Sequence, residues 1–186
     1  MYKRQKLSSM LVLSLFMVLS FAGSSFAAVY PNSNITIKSG DVLVTNNTSS
    51  AGLTGHAGIV VNSSGDVATI RGYGFHPEIQ SLNTWFSTNR NTKVVRNSDS
   101  DLAAKAGSWA KDYVKTHPNV EYGLNNTLGN LNEVYCSKIP WLAYYSYGAE
   151  PLYRASQPSL MKPYDWIYVG DSGTKGFFMA GVIGNW

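Results

Sequence analysis

A single cysteine, Cys136, serves the whole 186-residue chain, so no internal disulfide can form and packing must hold the fold. With three scattered histidines, His56, His76 and His117, and no second cysteine, no metal-ligand spacing exists, and neither a metal nor another cofactor is expected. Long apolar runs are also missing. The longest, residues 10–22, is broken by serines and falls short of the roughly 20 continuous apolar residues that a membrane-spanning helix needs. Excess charge is scarce too. The chain has 15 Lys+Arg against 11 Asp+Glu, and the first 27 residues hold three of the basic groups and none of the acidic ones, which leaves 12 against 11. A near-neutral domain gives no electrostatic case for nucleic acid or for an anionic membrane. Internal repeats and low-complexity linkers are absent.

What is present begins with an export signal. Lys3, Arg4 and Lys6 precede the apolar stretch, and Ser25-Phe26-Ala27 forms a small-residue cleavage pattern. Residues 1–27 are therefore expected to be a secretory signal peptide, and residues 28–186 one domain that is secreted, extracellular or associated with the cell wall. Once the signal is cleaved, no stable membrane insertion is expected. A domain of this length buries a core without covalent staples.

Apolar periodicity predicts a mixed α+β fold. Residues 29–39 read as polar and irregular, residues 40–45 as a turn and a short buried strand, and residues 46–55 as a loop. Residues 56–61 and 66–71 read as a hairpin about the turn Asn62-Ser63-Ser64-Gly65. After the Gly72-Tyr73-Gly74 break, residues 79–86 read as a strand with a short turn, and residues 93–96 as another strand. Residues 98–115 are the clearest helix: Leu102, Ala106, Trp109, Ala110 and Tyr113 share one face, Ser98 or Ser100 can cap it, and His117-Pro118 stops it. A second helix is expected after Cys136 over residues 139–147, ending at Gly148, with Pro140 a local strain on it. Residues 166–169 read as a last strand.

An exported, unpaired thiol ahead of a helix is a candidate nucleophile, and it needs a base. A free cysteine has a pKa of about 8.5, which a helix N-terminus or a nearby imidazolium lowers, and the thiolate is the reactive form. His117 sits at a helix end and His76 in a loop. His56 opens a strand, where a scaffold holds a ring in place.

Taken together, Gly40-Asp41-Val42-Leu43, Gly55-His56-Ala57-Gly58-Ile59-Val60 and Tyr135-Cys136-Ser137-Lys138, in that order over about residues 40–170, resemble the circularly permuted papain-like cysteine hydrolases of the NlpC superfamily, the YiiX/YebB-like group. The resemblance implies a permuted papain-like fold: an antiparallel sheet or small barrel packed on a helix that carries the nucleophile. It implies Cys136 as nucleophile, His56 as general base and then acid, and the Cys136 N–H in an oxyanion site. Tyr135 would point its hydroxyl into the site or else pack beneath the helix, and Ser137 would cap or begin it. One departure concerns the group that orients His56. The segment expected to supply it reads Thr69-Ile70-Arg71-Gly72, and arginine cannot accept a hydrogen bond. Thr69, a backbone carbonyl, a water or Glu78 stay open for that role, and Arg71 is a candidate binder of a substrate carboxylate.

The resemblance further implies a thioester acyl-enzyme, with an amide of a cell-wall peptide as first substrate, between D-glutamate and a diamino acid. A lipid acyl hydrolase or acyltransferase would use the same Cys-His pair. A third alternative is a non-catalytic wall-binding module gripping a polymer with Tyr144, Tyr145 and Tyr147.

Overall fold

The computed structural model describes residues 27–48, 54–156 and 160–186. The expected signal segment lies outside these residues apart from Ala27.

Six short strands form one antiparallel sheet, in the order β4-β3-β2-β1-β5-β8: β1 (Val42–Thr45), β2 (His56–Val60), β3 (Val67–Thr69), β4 (Glu78–Gln80), β5 (Thr92–Asn97) and β8 (Phe177–Ile183). Their side chains alternate between two cores, as the period of two requires. Val42, Val44, Ile59, Ala68 and Val95 face one cluster, while Leu43, Val60, Val67, Val94 and Ile183 face the other. Both faces are covered, which explains why β1 and β2 read as continuous apolar runs rather than alternating ones. β2 and β3 form the hairpin expected about residues 62–65, pairing Ile59 with Ala68.

The larger cluster is closed by three helices: α2 (Ser100–Thr116), α3 (Lys138–Tyr145) and α4 (Pro163–Ser172). Helix α2 buries Ala103, Ala106, Gly107, Ala110, Tyr113 and Val114, a face rotated slightly from the expected one. Its cap is Asp99, not either serine, with the carboxylate accepting from the N–H groups of Asp101 and Leu102. Pro140 sits in the first turn of α3, where an amide donor has no helical partner, so it imposes no kink. The other face is closed by α1 (Leu82–Thr88), which contributes the buried Trp85, and by the amino-terminal segment through Tyr30 and Ile37.

Three expectations are corrected. Residues 166–169 are helical, because Lys162-Pro163 starts a helix with Asp165 closing a capping box, and Trp166, Val169 and Gly170 bury one face at helical spacing. The last strand is instead Phe177–Ile183, paired to β5. Residues 79–86 divide into the short β4 and helix α1, since the Ser81 hydroxyl accepts the Thr84 N–H and starts the helix. Residues 29–39, read as irregular, carry a bridge between Val29 and Thr36 and supply two core residues. A small parallel pair, β6 (Glu121–Tyr122) and β7 (Glu133–Val134), leads into Cys136.

Beneath the sheet lies a buried ionic knot. Asp41 takes Arg96 Nε at 2.7 Å on Oδ1, and takes Arg96 Nη2 at 2.8 Å and the Tyr30 hydroxyl at 2.6 Å on Oδ2. Gly40, held at φ +89°, lies against the backbone of Ala103 where no Cβ fits, and its carbonyl accepts the Tyr144 hydroxyl from α3. One short segment thus ties β1, β5, α2, α3 and the amino-terminal arm together. Removing one member of a buried charged pair leaves the other uncompensated, at a cost of about 3–5 kcal/mol. Asp41→Ala should therefore lower the urea midpoint by that equivalent, whereas Lys105→Ala, on the exposed side of α2, should change it little.

Candidate active site

Gly55 delivers the histidine. Its φ of +65° turns the chain into β2, and a Cβ there would meet the Tyr164 ring and the Thr45 carbonyl. His56 then pairs with Thr45 across the ladder, at the end of β2. Its ring stacks on Trp85 of α1, with centroids 5.4 Å apart and planes 22° apart. Thr69 on β3 reaches the same ring: its Oγ1 lies 3.1 Å from His56 Nε2 and donates to the Ala57 carbonyl at 2.7 Å. A hydroxyl has one proton, and here the carbonyl takes it. Nε2 must therefore be the protonated nitrogen that donates to Thr69, which leaves the lone pair of neutral His56 on Nδ1.

Cys136 approaches from the opposite face of the sheet. The Lys138 and Ile139 N–H groups bond back to the Tyr135 carbonyl, forming the turn that starts α3, and the thiol lies against the Ala57 amide. Ser137 does not cap that helix with its side chain: its hydroxyl donates to the Met161 carbonyl at 2.6 Å, and its own carbonyl accepts Trp166 Nε1. The cysteine turn is thereby fastened to α4.

His56 and Cys136 open on one cavity of about 490 Å³, together with Arg71, Gln80, Asn89 and Tyr122. A second cavity of about 340 Å³ meets the first at Cys136, and Tyr122, Leu124, Leu160, Met161 and Tyr164 line it. No hydrogen bond joins the thiol to the ring among the described residues, and what the two share is the lining of the first cavity.

Burial sets the resting charge of both groups. It raises the Cys136 thiol above its ordinary value, opposed chiefly by the Ala57 amide. It pulls the His56 imidazole down to about 4, opposed by the charge of Glu78. At neutral pH the pair is thus a thiol and a neutral imidazole. The lowered thiol pKa expected from a helix N-terminus is not found, because desolvation outweighs the amides.

The remaining sequence candidates are divided between the neighbourhood of this pair and other parts of the fold. The Tyr135 hydroxyl accepts the Met161 N–H at 3.0 Å, and the side chain is buried beneath the cysteine turn. The Arg71 guanidinium holds Glu78, with Nε 2.7 Å from Oε1, and covers the Phe75 ring at 4.0 Å, so any substrate carboxylate would compete with Glu78. Glu78 pairs with Thr69 in the ladder and acts on His56 through its charge. His76 lies near the Val120 carbonyl, and His117 stacks on Tyr113 at the end of α2. Tyr144 cannot grip a polymer, since it is fully buried; Tyr145 and Tyr147 are exposed. Among the described residues, no group of three His, Cys, Asp or Glu is placed to hold a metal.

Sequence reasoning missed two residues. Tyr122 lines both cavities, and burial together with the charge of Cys136 pushes its hydroxyl up to about 12, so it remains a donor at neutral pH. Lys138, buried in α3, donates to the Thr127 and Glu133 carbonyls at 2.9 and 2.7 Å, pinning the loop that leads from Tyr122 to the cysteine. A lysine directly ahead of the apolar run that follows Cys136 was the available signal for the second. Nothing in the sequence marked the first.

A family profile described as "Lipoprotein N-acylation protein LnsA-like" matches residues 3–158, most of the chain, and the protein belongs to that family. An uncharacterized 30.3 kDa protein of Bacillus thuringiensis is 30% identical over 144 residues, which cover 71% of this chain and 53% of that protein. The chain thus spans about half the length of this curated relative. The crystal structure of metalloprotein YiiX from Escherichia coli O157:H7 superposes with a TM-score of 0.45 at 17% identity, covering 59% of this chain and 65% of that one.

The depressed imidazole makes stability depend on pH. Above about 6.5 the ring is neutral in both folded and unfolded states; between 6.5 and about 4 the unfolded chain binds a proton that the folded chain refuses. Stability should fall by up to about 3 kcal/mol as pH drops through that window. His56→Gln, followed by urea unfolding from pH 4 to 7.5, should flatten this limb; an unchanged slope would mean the ring is not desolvated.

Proposed function

We propose that the protein is a cysteine acyltransferase or acyl hydrolase that passes a fatty acyl group through a thioester on Cys136. The observation that carries this reading is a thiol and a neutral imidazole opening on one cavity, in a chain of a lipoprotein N-acylation family. In this reading Nδ1 of His56 is the general base for the thiol across the cavity that both line, directly or through one water. The ring takes the thiol proton as sulfur attacks the acyl carbonyl of a lipid ester. The resulting oxyanion is met by the Cys136 N–H and the Tyr122 hydroxyl. Protonated His56 then gives its proton to the departing alcohol, leaving the acyl group on sulfur. In the second half, an amine, or water in the hydrolase variant, attacks the thioester and loses its proton to His56, and the thiol is regenerated.

A protein with a neutral resting pair needs no stored thiolate. The proton moves with the attack, and charge develops only where amides and hydroxyls await it. The role of Thr69 is to hold the ring with Nδ1 available. The apolar cavity beside Cys136 favours an aliphatic acyl donor over a wall peptide. Amide cleavage in the peptidoglycan stem and placement in the NlpC superfamily with a permuted papain-like order rest on the sequence resemblance, and action outside the cytoplasmic membrane rests on the signal-like pattern of residues 1–27.

Incubation with a phospholipid donor, acid quenching and intact-mass analysis test the proposal. The wild-type chain should gain one acyl mass, removable by hydroxylamine, and Cys136→Ala should gain none. Thr69→Val should slow acylation by about 10²-fold, the scale of a general-base contribution, while Thr69→Ser keeps most of it. Hydroxylamine-resistant acylation, or equal labelling of Cys136→Ala, would overturn the thioester.

A further inference from the structure

Large apolar side chains are left in water around the mouth of this site. Tyr73 is 71% exposed, Phe75 42%, Leu124 41% and Leu160 38%. Single exposed hydrophobics are ordinary, but a contiguous group marks an interaction surface. These four are joined through the site itself. Leu124 and Leu160 line the apolar cavity with Tyr122 and Cys136, Tyr73 packs edge-on against Tyr122 at 4.8 Å, and Phe75 lies under Arg71, which lines the adjoining cavity. Tyr73 and Phe75 ride on a turn whose glycines, Gly72 and Gly74, have positive φ and open space where a side chain would stand.

We propose that this rim is a bilayer-docking surface, which seats Tyr73, Phe75, Leu124 and Leu160 at the boundary between phospholipid headgroups and acyl chains. The inference rests on the acyl-transfer reading, because it explains how a chain would pass from lipid into the apolar cavity without crossing water. The charges at the rim favour this occupant. Arg71 is balanced by Glu78, and the exposed Lys162 is matched in sign by Asp165 three residues on, whose carboxylate accepts the Lys162 backbone N–H at 2.8 Å. Side-chain charges that sum to zero around an apolar centre match a zwitterionic headgroup layer, and they make docking weakly dependent on salt and on anionic lipid. Tyrosine suits the position, with an apolar ring and a polar tip.

The test uses the full chain carrying Cys136→Ser and an environment-sensitive fluorophore on one introduced thiol. Tyr73→Cys places the probe on the rim. Val182→Cys places it on β8, the opposite edge strand, at a residue that is itself exposed. With phosphatidylcholine vesicles, the probe at position 73 should shift to shorter wavelength and lose most of its quenching by iodide, while the probe at position 182 should change in neither respect. Adding phosphatidylglycerol should alter this little. Equal behaviour at both positions would overturn the proposal, since it would reflect tethering without orientation. Shielding of position 73 without vesicles, growing with protein concentration, would overturn it in favour of a second copy of the chain. Because the variant cannot form a thioester, the outcome is independent of the chemistry: a seated rim with no thioester in the wild type sinks only the acyl-transfer reading, and a thioester with a solvated rim sinks only the surface.

Discussion

The Thr69 hydroxyl has a single proton, and the Ala57 carbonyl takes it at 2.7 Å. Everything in the site depends on that allocation. It fixes the His56 ring with Nε2 as donor and Nδ1 as acceptor, on a strand whose neighbouring amide lies against the cysteine sulfur. Residues 56 and 57 thus divide the work between the two faces of the sheet. The ring turns toward Trp85 and Thr69, while the backbone supports a thiol held by α3.

The helix and the sheet are brought into this relation from two sides. Asp41 and Arg96 lock β1 to β5, and the Tyr144 hydroxyl bonds to Gly40, so α3 is fixed to the strand next to β2. Ser137 and Trp166 fasten the cysteine turn to α4, and Lys138 fastens it to the loop behind Tyr122. The site sits where these ties converge. Its burial has an electrostatic consequence: desolvation opposes charge on sulfur and ring alike, so both rest neutral at pH 7.

Much of this was legible in the sequence. The strands from β1 to β3, the strand β5 and the helices α2 and α3 were marked by β-branched runs, by glycines at turns and by a helical apolar face. Helix α4 was misread because Trp166-Ile167-Tyr168-Val169 is rich in strand formers, and the Pro163 start and Asp165 capping box outweighed that local preference. The strand β8 carried a strand-like signal in its own apolar run, hidden by the choice of residues 166–169. Cys136 and His56 could be singled out by type and motif. Their surroundings could not, because Tyr122, Lys138 and the Thr69 contact arise from chain crossings far apart in sequence. The thiol pKa was expected to move in the wrong direction for the same reason: a helix start is visible in sequence, and the degree of burial is not.

The most direct measurement is nitrogen-15 NMR of the ring of His56 in labelled protein at pH 7, with assignment by His56→Gln. The account predicts a neutral imidazole with its proton on Nε2 and an acceptor resonance from Nδ1, charging only as pH falls to about 4. An imidazolium at pH 7, or a proton on Nδ1, would contradict it.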